Sequence, residues 1–467
     1  MSLSATMKMP DQDVPPIPED NDALFAQELN KLSMKERDEV LHDVHGVSDV
    51  MDEEPAFVEK CFRELQVELL KIKSKPAYDQ ALLHNEAYVK DEKFMLMFLR
   101  AEGFDPKSAA ARTVSFFEAK LQLFGPELLA RDVKVSDLDE DDVRCLESGY
   151  AQILPGRDRA GRAIFMLLPM IKVFKVHANK LKALYMVTMH ALQDVETQRR
   201  GMIGLAYNVG RDHTKDREAV WKNAKLLSAI PVRFKCLHYC YDDEKVRTLF
   251  QVAMLVFNRS ERFRCRFQFG TDMECIYNLM TFGIPSDILP VQTSGELRLE
   301  AHQEYVRRMR KQHDSDENIP RIILPSTDDV LLGRGKPLQK HPGNLRYHHI
   351  IETYNEQYEK AMKLEKTNIS KWLVEQIQDA GGRFLKQDDV AWVEIDDDAA
   401  RYKVSHTFRN HRIAKRTAEK KAKAAAEVDH RRKHISEYHS DSSVSAMSLS
   451  GRAESPLEKR RRLSDFG

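Results

Sequence analysis

The chain has 467 residues, 42% of them hydrophobic, which suits two or three domains with true cores and excludes a wholly disordered polymer. Lys and Arg (73) equal Asp and Glu (73), so no net field draws the whole molecule to nucleic acid or membrane, and charge-driven function must rest on local asymmetry. The six cysteines have neither C-x-x-C spacing nor the density of a secreted scaffold, which predicts reduced, packed thiols in an intracellular protein. MSLSATMKMPDQDVPPIPED lacks the basic start and apolar core of a signal peptide, and no run approaches the roughly 18 apolar residues of a membrane span.

Residues 1–53, rich in Pro and acid toward the start, read as mostly disordered. Glu54 to Gln80 carries helical periodicity through Phe57, Cys61, Leu65 and Leu69. In Phe94–Lys120 the polar corner Gly103-Phe104-Asp105-Pro106 separates two helices. Asp105 is placed to cap the second, and Pro106 stands in its first turn, where a missing N–H costs nothing. Leu96, Leu99, Val114 and Phe117 supply packing faces. Then strands at 163–168, 201–208 and 233–240 alternate with helices at 180–199 and 216–229, the pattern of an α/β domain whose largely parallel sheet is covered by helices.

Asp243 to Asn258 reads as one helix. Val246, Leu249, Phe250, Ala253, Met254 and Phe257 fall on one face, and Val252, Leu255 and Val256 make the other side apolar too. A helix apolar nearly all round is buried or lies at a membrane surface. In the following RCRFQF, alternation puts Arg264 and Arg266 on the solvent face of a strand.

The run FMLMFLRAEGFDPKSAAARTVSFFEAK resembles the N-terminal helices of the CRAL-TRIO lipid-binding family. The likeness continues in order through Gly161-Arg162 with the strand Ala163–Leu168, LQDVETQ with Gly201, IPVRFK up to His238, and Ile288-Leu289-Pro290 with Gly295-Glu296-Leu297. It is similar to the tocopherol-transfer and retinaldehyde-binding branch. The resemblance implies a helical subdomain at 54–130 and a lipid-binding domain at 140–299 with a mixed, largely parallel sheet. In the family the helix matching 246–257 gates the pocket and touches the bilayer. It also implies Phe165, Leu205, Tyr207, Leu237 and Tyr239 as strand positions near the ligand, with the inward parity left open, since each equally suits plain core. Near the end of the gate, where related branches have a basic residue and proline, stands LVFN; the basic groups left to meet an anionic head such as a phosphoinositide are Arg259, Arg262, Arg264 and Arg266.

Catalytic chemistry is not apparent. His238 has no nucleophile or carboxylate at a suggestive spacing and reads as a core histidine; Gly333-Arg334-Gly335-Lys336 is followed by Pro337, where a phosphate loop needs Ser or Thr; His341, His348 and His349 lack a metal-like frame. A non-enzyme with no metal and no cofactor beyond a bound lipid is expected. Its partners would be that lipid and, transiently, a membrane surface, which places it in the cytoplasm and at membranes.

A linker is expected at 300–326, with the charged run Arg307–Glu317, followed by a small α+β domain at 327–410. DVLLGRG, HPGN, GGRF and Trp392 resemble a domain of unknown function frequent in diatom proteins. A strand into a Gly turn, helices over 344–378 and a hairpin over 383–395 are predicted. Residues 411–467 read as a basic helix and a disordered tail. Lys459, Arg460, Arg461 and Arg462 form a nuclear-import-like cluster, and Ser464 fits a basophilic kinase site. The alternative function is therefore a regulatory or scaffold protein whose C-terminal part binds nucleic acid or a protein, with a nuclear location.

Overall fold

A computed structural model describes residues 26–441 apart from 28, 49, 51, 170, 172–176, 211–216, 244–245, 248–258, 315–321, 334 and 389–390. The chain divides into two compact units, one made of residues up to 349 with 375–396, the other of 350–374 with 397 onward.

Helix α1 (Met34–His45) corrects the expectation of disorder through residue 53. Ser33 and Glu36 form a reciprocal capping box, Gly46 closes the helix in the left-handed region at φ 69°, and Val40 and Val44 are buried. The Pro-rich composition belongs to the residues before it. Helices α2 (Pro55–Lys71), α3 (Pro76–His84), α4 (Glu92–Ala101) and α5 (Pro106–Phe124) build the helical subdomain. Cys61, Leu65 and Leu69 are buried on α2, as the periodicity predicts. Asp105 accepts from the Ser108 N–H and Pro106 occupies the first turn of α5. Between α4 and α5 the chain passes through left-handed backbone at Gly103 and Phe104 (φ 61° and 62°). Phe94, Phe98, Phe116 and Phe117 then pack edge to face, with centroids 5.2–6.1 Å apart.

The main sheet has five strands in the order β1-β2-β3-β4-β5: Ala151–Arg157, Ala163–Leu167, Met202–Asn208, Phe234–Tyr241 and Cys265–Phe269. β1 is antiparallel to β2 and the remaining pairs are parallel. β1 eluded the pattern reading because Pro155 and Gly156 interrupt it; an edge strand tolerates both, and its register shifts between Ile153 and Arg157. The helix predicted over 180–199 is two, α6 (His177–Ala191) and α7 (Val195–Arg200). Asp194 starts the second by accepting from the N–H groups of Glu196 and Thr197. Helices α8 (Arg217–Ala229) and α9 (Asp272–Thr281) follow. One sheet face, with Phe165, Leu237 and Tyr239, shares a core with Leu184, Val187 and Leu227; the other, with Ile164, Leu205 and Tyr207, shares one with Val44, Cys275 and Leu279.

The linker expectation at 300–326 also gives way. Glu300–Asp314 is helix α10, which buries His302, Val306 and Met309 along one stripe inside a charged sequence. The His302 Nε2 lies 2.7 Å from the Leu146 carbonyl oxygen.

A second sheet has three strands, β6 (Val330–Leu332), β7 (Phe384–Gln387) and β8 (Trp392–Glu394), with the predicted hairpin between the last two. Helices α11 (Pro342–Lys360), α12 (Lys363–Asp379) and α13 (Asp397–Asp441) complete the chain. The α+β content expected of 327–410 is present, but its sheet clusters with the first unit while most of its helical length forms the second. In that second unit Tyr358 stacks on Phe408 at 3.9 Å, Tyr354 meets Trp372 edge-on, and Leu373, Val374, Val404 and Phe408 are buried.

Candidate functional site

Register settles which strand residues share a face. Phe165 lies beside Gly204, Gly204 beside Leu237, and Ala206 beside Tyr239. Three of the expected ligand-side residues, Phe165, Leu237 and Tyr239, therefore stand together on the face where the middle of β3 carries the small residues Gly204 and Ala206. Leu205 and Tyr207 belong by alternation to the opposite layer, where the Tyr207 hydroxyl donates to Asp272 Oδ1 at 2.7 Å. For Tyr207 the ligand-face expectation is corrected; Leu205, though packed in the opposite layer, still borders the hollow described next. The central strands β2 and β3 are apolar on both faces, so the sequence held no sign of their parity.

On the Phe165 face lies a partly open hollow of about 70 Å³, walled by Phe165, Leu167, Val220, Leu227, Phe234 and Tyr239 among others. A Cβ on Gly204 would stand 2.4 Å from Leu237 Cδ2, so glycine is what lets that side chain lie across the strand. Asn223 and His238 are the polar side chains among the described residues of this wall. The Asn223 Nδ2 donates to the Tyr150 hydroxyl at 2.6 Å, while its Oδ1, buried, has no partner. An unsatisfied amide in an apolar wall costs roughly 1–3 kcal/mol unless something supplies the missing bond. Of the predicted gate, Val246 is buried, with its N–H donated to the Asp243 carbonyl. Leu249, Phe250, Ala253, Met254 and Phe257 lie outside the described residues.

His238 sits beside Leu205 in the register, and both border the hollow. Burial, then Arg266 and Arg162, push its pKa down to about 3, and its ring packs edge-on to Phe282 at 4.8 Å. It is the neutral core histidine that the sequence suggested.

The basic residues are arranged differently from the expectation. Arg264 is not on a solvent face: it is buried and grips Asp43 Oδ2 through Nε (2.8 Å) and Nη2 (2.6 Å). The strand begins one residue later, at Cys265, so the alternation was counted from outside it. Arg266 is half-buried and donates to the carbonyls of Phe263 and Cys265; Arg262 is half-buried in the turn Arg259–Arg262, and the Arg259 side chain lies outside the description.

Around Asp43 the structure gathers a cluster that sequence reasoning missed. Lys235 Nζ lies 2.6 Å from Oδ1, Ser48 Oγ donates to Oδ1 at 2.6 Å, Arg233 stands at 3.7 Å, and Arg162 donates to the Asp43 carbonyl. Burial alone would raise the Asp43 pKa, but Lys235 and Arg264 together bring it down to about 2. Burial and the nearby Arg233 draw Lys235 down to about 8 against the pull of Asp43. A cleft of about 480 Å³ opens beside them, lined also by Arg100, Arg199, Glu53 and Glu102. Its charges are matched internally: Glu53 pairs with Arg100 and Arg199, and Glu102 with Arg112. The arrangement latches α1 onto the sheet. Asp43 and Arg264 are 221 residues apart, and no local pattern joins them.

In the C-terminal part, the conspicuous motif residues turn out to hold backbone. Asp329, fully buried, accepts from Arg383 Nε and Nη2 and from the Arg383 and Ser326 N–H groups. Asn344 accepts the Leu331 N–H and donates to the Leu331 and Leu338 carbonyls, mimicking a strand partner. A Cβ on Gly343 would lie 2.0 Å from the Asp329 carbonyl oxygen, and one on Gly382 2.5 Å from that of Asp328. Among the described residues no group of His, Cys, Asp or Glu could hold a metal, and all six cysteines are buried and unpaired by disulfide. Lys459, Arg460, Arg461, Arg462 and Ser464 lie outside the described residues.

A family model described as a domain of unknown function (DUF6824) matches residues 329–410, in agreement with the C-terminal resemblance. The CRAL-TRIO resemblance of residues 54–299 has no such match. No curated protein matches the chain. Among the described residues no helix is long and apolar enough to cross a membrane.

Proposed function

We propose that residues 54–299 are a non-catalytic lipid-binding module of the CRAL-TRIO type, which takes one hydrophobic lipid and shields it between membranes. The observation that carries this reading is the hollow over Gly204 and Ala206: a largely apolar wall formed by a parallel sheet and helix α8, with an unpartnered amide oxygen at Asn223 among the described residues. Such a wall fits a hydrocarbon body, and the amide fits a hydroxyl on it, because a hydroxyl both donates and accepts. Burying each methylene is worth about 0.8 kcal/mol, so a sixteen-carbon chain gains roughly 12 kcal/mol on leaving water, and leaving a bilayer for an apolar pocket is nearly neutral.

At about 70 Å³ the hollow is smaller than the roughly 300 Å³ at which ligand pockets begin. Loading therefore requires a wall to yield, and the apolar stretch Val246–Phe257 is the cover that the sequence nominates. The Asp43 cluster and its cleft lie on the opposite face of β4 from the hollow, since Arg264 precedes β5 and α1 packs with the Ile164 layer. They are assigned to holding α1 rather than to the lipid tail.

The test is extraction of the purified protein with organic solvent after incubation with mixed lipid vesicles, followed by mass spectrometry. One lipid class at near-stoichiometric yield, lost in Ala206→Phe, which fills the hollow from a half-buried position, is the expected result. No lipid above a mock extract under several lipid mixtures would overturn the reading.

A further inference from the structure

The second unit carries a surface that the lipid reading does not use. From Arg401 to Lys423 the sequence has nine Lys or Arg against one acidic residue, Glu419, and the whole stretch lies within the continuous helix α13. At 100° per residue, Ser405, Arg409, Arg412, Arg416, Lys420 and Lys423 fall within about 80° of arc and form one stripe. The stripe rises about 21 Å from Arg409 to Lys423, with a cation every 4.5–6 Å or so. Every one of its Lys and Arg side chains is exposed.

At its N-terminal end the stripe runs into a built notch of about 180 Å³, lined by Lys366, Ser405, Arg409, Arg412, Tyr358 and Phe408, with Glu359 as its carboxylate. The stacked Tyr358–Phe408 pair forms a rigid floor, Ser405 Oγ is held 3.0 Å from Ser370 Oγ, and Lys366 reaches over the Tyr358 ring at 5.6 Å. Two guanidinium groups, an ammonium and a hydroxyl thus converge on a space that suits one tetrahedral anion. Beyond it, cations repeat at a spacing comparable to that of backbone phosphates.

We infer that this face binds the sugar–phosphate backbone of duplex nucleic acid, with one phosphate in the notch and its neighbours along the stripe. A membrane is the poorer match, because an interfacial helix needs a broad apolar face, and between His411 and Lys423 the helix has Ile413 as its one large apolar side chain. A helix that is polar all round and leaves its bundle calls for a polar partner. These cations meet phosphates along one exposed face, so the binding is expected to be to backbone and indifferent to sequence.

The test uses the full chain and a fluorescein-labelled 20-base-pair duplex of arbitrary sequence, with anisotropy read from 50 to 300 mM KCl. Binding should weaken steeply with salt, the log–log slope falling by about 0.9 for each phosphate neutralised, so that five cations give roughly −4 to −5. Arg412→Gln, Arg416→Gln and Lys420→Gln combined should shrink the slope by about one per residue, leaving the melting temperature unchanged because these groups are exposed. Arg409→Gln with Lys366→Gln tests the notch in the same way. An absence of binding at 50 mM salt, a slope unmoved by the triple variant, or capture by phosphatidylserine vesicles but not by duplex would overturn the inference.

Discussion

The two ends of this chain use charge in opposite ways. In the α/β part, cations are drawn inside: Arg264, Arg162 and Lys235 close on Asp43, and Arg157, buried, closes on Asp194. In the last helix the cations of one stripe stand exposed, with Glu419 the one acidic residue between Arg401 and Lys423. The contrast teaches that a basic residue in the sequence says little about a basic surface. What decides is whether an acid arrives from another element to meet it.

The sharpest way to break the comparison is to remove the inner acid. Asp43→Ala removes the buried carboxylate that Lys235 and Arg264 share and should cost about 3–5 kcal/mol in urea unfolding. A loss below about 1 kcal/mol would mean that water or another carboxylate fills the gap.

Asp329→Ala should cost less, about 1.5–3 kcal/mol, because its partner Arg383 keeps a third of its side chain in water and is not stranded in apolar surroundings. Measured on the same protein, the two losses rank the latch of α1 against the lock of the second sheet. Equal losses would remove the distinction.

A third experiment follows the buried histidines. His190 and His238 are both pushed down to about 3, chiefly by burial, whereas an unfolded histidine titrates near 6.5. Below pH 6.5 the unfolded chain takes up protons that the folded chain refuses, so stability falls as pH drops from about 6.5 toward 3, by up to about 1.4 kcal/mol per pH unit for each histidine. Asp43 adds its own loss only as pH falls from about 4 toward 2. His302 and His313, lowered mainly by burial, act in the same direction as the first pair. Urea midpoints between pH 4.5 and 6.5 isolate the histidine part, and His238→Phe should flatten the slope by its share.

The smallest effect belongs to the outer helix. Single Gln replacements at Arg416 or Lys420 should move stability by no more than about 0.5 kcal/mol, in contrast to any interior charge. A larger loss would show that the stripe is engaged within the chain.

Much was readable from local chemistry. Asp105-Pro106 announced a helix start, Cys61, Leu65 and Leu69 a buried stripe, and the alternation after 160 a parallel sheet under helices. The hairpin around Asp388 followed from turn chemistry, since its side chain accepts the Ala391 N–H. These features depend on residues within one or two turns of each other. Misreadings arose where a weak local signal concealed a partner: α10 inside a charged run, β1 behind Pro155, α1 after an acidic leader.

What the sequence determined by itself was the order of elements, their caps and the gathering of basic residues in the last helix, because caps, periodicity and net charge are set by near neighbours. Tertiary structure alone decided that Leu205 and Tyr207 turn away from Phe165, Leu237 and Tyr239, since strands buried on both faces carry no mark of parity. It alone decided that Arg264 belongs to Asp43, because a carboxylate in a low-dielectric interior selects whichever cations the fold brings within reach, however distant in the chain.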